Sequence, residues 1–181
     1  LEGTRHVNMA LIAKLIPNYF FNPGSFPEVG RRNGGENDDF LFRQGPTKGY
    51  GKVQFHDYNI AYSTRNLPNI NVFREQIEAF KGFLIASGAG LAGQMMDFDY
   101  LLAVGELFTL VAYGQLIIES ANMEKVDDAV LNQMFDVYVR DFSRYAMTLA
   151  SKPSNSPEQR SACEKAYRYP VANPDEYEKV I

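Results

Sequence analysis

The chain has 181 residues, is 45% hydrophobic and 13% aromatic, and carries a formal net charge of −4. That is enough apolar material for one folded domain, or one domain with a tail, and it excludes a disordered chain. The mild acidity excludes the concentrated basic surface that nucleic acid or an anionic membrane would call for; the one basic pair of note, Arg31–Arg32, is soon offset by Asp38 and Asp39.

The first element is a helix over Thr4 to Ile16. Val7, Ala10, Leu11 and Leu15 form its apolar stripe. Thr4 can cap it with its hydroxyl, and Pro17 is expected to end it. The chain begins LEGTRHVNMAL, without an initiator Met, and runs straight into this pattern. The expectation is therefore a C-terminal piece of a longer protein.

Glycine and proline recur from Asn18 to Gly51, so regular structure is not expected there. The same stretch holds Tyr19, Phe20, Phe21, Phe26, Phe40, Leu41 and Phe42. A free linker would not carry seven large apolar residues. The reading is a long ordered loop whose aromatics are pinned onto another surface, with one short strand near Lys52 to Phe55. Loops of this length often carry function or cover a partner.

Four helices with clear start signals follow. Pro68 opens one that reaches about Ala86, with Ile70, Phe73, Ile77, Phe80 and Leu84 on one face. Gly88, Gly90 and Gly93 mark its end. The next runs from about Gln94 to Asn122. Its charge-free run, Leu107 to Ile118, is twelve residues between Glu106 and Glu119. A bilayer span needs about twenty, so a buried core helix is expected and no transmembrane segment. The third covers Asp127 to Ser151, with Val130, Met134, Val137, Phe142, Tyr145 and Leu149 as apolar positions. Ser156-Pro157-Glu158-Gln159 is a capping box opening the fourth, and Asn173-Pro174-Asp175-Glu176 opens a last short helix. The fold class is all-α, an antiparallel helix bundle with short connections after residue 68.

Most candidate sites reduce to structure. His6 and His56 lie far apart without a ligand partner, so no metal site is expected and helix-end or loop hydrogen bonding is the reading. Neither has a glutamate three residues before it, which excludes the di-iron pattern of helix bundles. Asp136, Arg140, Asp141 and Arg144 form an ion-pair ladder at helical spacing. Cys163 is the one cysteine. It can make neither an intrachain disulfide nor a cysteine zinc site, and it suits a reducing, cytoplasmic setting. Glu2-Gly3-Thr4 remains. A carboxylate at a helix start can simply face the helix dipole. It can also serve as a base beside a flat ligand, because the glycine leaves the backbone open and the hydroxyl and free N–H groups bind polar atoms.

LEGTRHVNMALIAK resembles the late-chain motif of the acyl-CoA dehydrogenases: an aromatic, then Glu-Gly-Thr, two variable positions, an apolar residue and a helix. Leu1 stands at the aromatic position, and His6 where a glutamine often contacts the cofactor. GKVQFHDYNIAY, NVFREQIEAF, GELFTLVAYGQLIIE and FDVYVRDFSRYA are similar to the C-terminal extension of long bacterial members. The resemblance implies that Glu2 is the catalytic base and that Gly3, Thr4 and His6 contact FAD. It implies dehydrogenation of an acyl-CoA thioester: a proton leaves Cα to the base and a hydride leaves Cβ to the flavin. Residues 1–17 would be the last helix of the catalytic domain. Residues 18–67 would be a linker packing on that domain or a neighbouring subunit, and 68–181 a helical extension. The partners implied are the upstream catalytic domain and further copies of the chain in a homo-oligomer. The isolated 181 residues would not be active. The alternatives are a non-catalytic helical interaction module and a flavin-binding protein without activity.

Overall fold

A proline breaks a helix where its ring meets a preceding turn, but in the first turn of a new helix its missing N–H costs nothing. Pro17 is used in the second way. The computed structural model describes residues 5–25, 49, 53–88, 94 and 97–172. Within it the chain passes through α1 (Arg5–Ile12), one 3-10 turn (Ala13–Leu15) and α2 (Ile16–Phe20), with Pro17 at the start of α2. The helix therefore does not stop at Pro17. Nor does α1 bury the expected stripe. Val7 is exposed and Leu11 and Leu15 are half-buried, while Ala13, Ile16, Tyr19 and Phe20 enter the core. The 3-10 turn changes the period, which rotates the buried face.

Residues 18–67, expected as a loop, contain the end of α2 and a further helix, α3 (Tyr58–Ser63). The Asp57 carboxylate accepts from the Asn59 N–H at 2.9 Å and so caps α3. Six residues are too few to show a helical period in sequence. Residues 53–55 form no strand. Gly24 and His56 instead make one isolated parallel bridge, and the Gly24 N–H donates to the Phe55 carbonyl at 2.7 Å.

The later helices follow their start signals. Pro68 opens α4 (Pro68–Ser87), which ends at Gly88 with φ +38°. Next comes α5 (Phe98–Glu124). It starts later than Gln94 because the Asp97 side chain accepts from the N–H groups of Asp99 and Tyr100. Asp127 caps α6 (Asp128–Ala150), and the Ser156/Gln159 box caps α7 (Pro157–Lys165). The helix expected after Asn173 lies outside the described residues, as do Phe26, Phe40, Leu41 and Phe42. Among the described residues 75% are helical and none is in a strand, so the fold class is all-α.

One core runs through all of this. α4 packs on α6 and α7, while α5 packs on α1, α3 and α6. Buried side chains from Ala13 to Ala166 form a single cluster. Tyr19 and Phe20, expected to cover another surface, are buried here instead. Tyr19 stacks on Tyr58 with centroids 5.4 Å apart and meets Phe108 edge-on at 5.1 Å. On α6 the buried register is Leu131, Phe135, Val139, Phe142, Ala146 and Leu149. Met134 and Val137, expected inside, are exposed. By length and composition α5 could cross a bilayer, with a window of mean hydropathy 1.8, although the expectation was that no segment could. In this fold 56% of that window is buried among the other helices.

Candidate functional site

Glu2, Gly3 and Thr4 lie outside the described residues. The backbone of His6 is in α1, and its side chain is not described. What can be followed is how the helix behind the motif is held. Gly105 of α5 lets α1 approach closely. A Cβ there would lie 2.9 Å from the Met9 carbonyl oxygen, too near for any other residue without a shift. The Thr109 hydroxyl reaches the Met9 sulfur at 3.5 Å. Helix α1 is thus seated backbone-to-backbone on α5 at this point.

At the far end of the same contact lies a polar cluster. Gln115 and Glu119 are one turn apart on α5. The Tyr19 hydroxyl donates to Gln115 Oε1 at 2.6 Å. Gln115 Nε2 donates to Glu119 Oε1 at 2.8 Å. His56 Nε2 lies 2.7 Å from Glu119 Oε1 and 2.8 Å from Gln115 Nε2. A carboxylate only accepts, so Nε2 carries the proton in the pairing with Glu119. Burial, with Tyr58 and Glu119 as lesser causes, raises the Tyr19 phenol far above its ordinary range and keeps it a donor. These four side chains bind α2 and the Gly24–His56 bridge to α5. With Nε2 protonated, the approach of the His56 and Gln115 nitrogens sets two donors side by side and is no hydrogen bond; the bonds to Gln115 Oε1 and Glu119 Oε1 hold the cluster, and their chemistry is that of a fastening.

The sequence leaves His56 as a loop hydrogen-bonding group and Glu119 as the acid that closes the charge-free run of α5. The structure brings the two together. The available signal was Gln115 and Glu119 at i and i+4 inside an apolar helix. Nothing in sequence placed His56, 63 residues from Glu119, beside them.

The ion-pair ladder is present. Arg140 meets Asp136 at 3.0 Å and Arg144 meets Asp141 at 3.1 Å. Asp136 is itself buried, so the ladder is not wholly solvated. Cys163 is buried, and burial pushes its thiol up to about 12, which makes it inert.

Concave surfaces lie elsewhere. A cleft of about 640 Å³ between α3, α4 and Arg168 carries Arg74, Glu75 and Glu78 over Tyr58. Its charges balance, and Arg168 Nε lies 3.4 Å from Glu75. A groove of about 360 Å³ between α5 and α6 is lined by Tyr113, Leu116, Ile117 and Met134. No family model matches the chain, and no curated protein or solved structure does.

Proposed function

We propose that the chain is the C-terminal portion of an FAD-dependent acyl-CoA dehydrogenase acting on an acyl-CoA thioester. One observation carries this reading: Glu2-Gly3-Thr4 leads directly into a helix, α1, as the family motif does. The residues present suit the cofactor in kind. They offer a carboxylate, a glycine that leaves the backbone open, and a hydroxyl ahead of free helix N–H groups.

FAD would supply the hydride acceptor. Glu2 would take the proton from Cα of the thioester, and Gly3, Thr4 and His6 would hold the cofactor. The helical remainder serves packing and assembly into a cytoplasmic homo-oligomer. We read that remainder as an antiparallel bundle; Lys152, just past the end of α6, pairs with Asp99 at the start of α5.

The test uses the protein with whatever precedes Leu1 in its natural form. It should purify yellow, and Glu2→Gln should retain FAD while losing about 10²–10⁴-fold in turnover. Near-normal turnover removes Glu2 as the base. A yellow protein with no turnover is a flavin-binding relative without activity.

A second reading, a non-catalytic helical interaction module, is favoured by the apolar groove between α5 and α6. Tyr113 and Leu116 are 57% and 53% exposed there. A colourless protein that binds a macromolecule, and loses it on Leu116→Glu, supports this reading over the first.

A further inference from the structure

After α7 the chain continues without regular structure as Ala166-Tyr167-Arg168-Tyr169-Pro170-Val171 along α4 and α6. Its main chain is what these helices chiefly grip; of its side chains, Arg168 pairs with Glu75 of α4 at 3.4 Å and Ala166 is buried. Ser143 of α6 takes both backbone groups of Arg168. Its Oγ accepts from the Arg168 N–H at 2.9 Å and donates to the Arg168 carbonyl at 2.6 Å. Asn69 of α4 takes both backbone groups of Val171. Its Oδ1 accepts from the Val171 N–H at 2.7 Å, and its Nδ2 reaches the Val171 carbonyl at 3.3 Å. Gln76, two turns along α4, donates to the Ala166 carbonyl at 2.9 Å and to Ser143 Oγ at 2.9 Å. Asn132 of α6 holds Asn69 in place, accepting from its backbone N–H at 2.9 Å. The segment therefore runs antiparallel to α4.

Asn69, Gln76, Asn132 and Ser143 are all nearly inaccessible to solvent. Buried polar groups are mostly paired, and here Asn69, Gln76 and Ser143 each bond the main chain of the extended segment, although Gln76 Oε1 has no partner among the described residues. The gripped residues stand three apart, the period of a polyproline II strand, and Pro170 between them favours that form. Three of the segment's side chains contribute little: Tyr167, Tyr169 and Val171 are 40%, 75% and 46% exposed. This is recognition by amide and hydroxyl side chains, so it tolerates changes of sequence.

We infer that the groove between α4 and α6 is a binding site for an extended peptide, read through its backbone by Asn69, Gln76 and Ser143, and that residues 166–171 are its exchangeable occupant in cis. The inference is independent of the proposed dehydrogenase. The ligand class is a polypeptide strand of at least six residues with free N–H groups at the two gripped positions.

The test keeps the groove intact and weakens the occupant. Arg168→Pro with Val171→Pro in the full chain removes the two N–H donors and nothing from the helices. A labelled peptide of residues 165–172 is then titrated against this variant. Saturable binding is expected, at least tenfold tighter than to the unaltered chain, where the segment competes at high effective concentration. Binding should survive alanine at the peptide's two tyrosines and fail when the amides of Arg168 and Val171 are N-methylated. A folded variant that binds no peptide overturns the site, and so does loss of binding in the alanine peptide. Should the variant not fold, hydrogen exchange on the unaltered chain decides the matter. The Arg168 and Val171 amides should open together at rates well above those of the α6 core. Exchange only through global unfolding overturns exchangeability.

Discussion

The hydroxyl of Tyr62 lies against the backbone of Gly114 and donates to the Val111 carbonyl at 2.8 Å. A Cβ on Gly114 would overlap that hydroxyl and come within 3.2 Å of Phe73. Tyr62 and Phe73 are fully buried, so neither can swing away. Gly114→Ala should therefore cost about 2–3 kcal/mol by overpacking. Tyr62→Phe should cost about 1 kcal/mol for the lost hydrogen bond. The double variant should be more stable than the sum of the two predicts, because removing the hydroxyl makes room for the methyl. Chemical denaturation of the four proteins measures this, and strict additivity would contradict the contact.

Gly105 makes the corresponding contact for α1. Gly105→Ala forces the Met9 carbonyl of α1 away. The expected outcome is faster amide exchange throughout α1, with α4 and α6 unchanged. Unaltered exchange in α1 would mean that the helix is held elsewhere.

The His56–Glu119 pair joins the segment after α2 to α5. Both side chains are partly buried. Glu119→Gln removes the charge and leaves an amide able to bond Gln115. It should weaken the protein by about 1 kcal/mol, and the same change in a His56→Gln background should cost less. A double-mutant cycle with no coupling would show that the pair contributes nothing.

Alkaline pH should expose the buried phenols and the thiol. Burial raises Tyr58 and Tyr100 to about 12, and raises Tyr62 well above its usual value. It raises Cys163 to about 12. Each folded value lies above the unfolded one. The stabilisation is therefore complete below the unfolded values and is lost as pH rises from about 9–10 through 12. Phenolate absorbance should rise in two steps, exposed tyrosines first and the buried set together with loss of helical circular dichroism. Cys163 should resist thiol reagents at neutral pH and react on denaturation. A single non-cooperative titration would contradict the burial.

Much of the helical framework is legible in the sequence itself. Pro68, Asp127 and Ser156 each mark a helix start by local chemistry: a ring already set for helical φ, or a side chain that accepts an orphan N–H. Such signals act within four residues and need no tertiary partner. The all-α class follows from them. The misplacements share one cause. Pro17 is tolerated because a 3-10 turn precedes it. Met134 and Val137 look like core residues on a helical wheel, yet Met134 lines an open groove and Val137 faces solvent, and which face of α6 is buried depends on where α4, α5 and α7 lie.

The functional grouping belongs to the tertiary structure more fully still. Sequence supplied Glu2-Gly3-Thr4 as a compact motif, because all its parts are neighbours in the chain. It could not assemble His56 with Glu119, or Ser143 and Asn69 with the backbone of Arg168 and Val171. Those groups lie 25 to 102 residues apart. A main-chain N–H also carries no residue-type signature to be read. Local hydrogen bonding and period are written in neighbouring residues; which buried amide meets which distant backbone is fixed only when the helices pack.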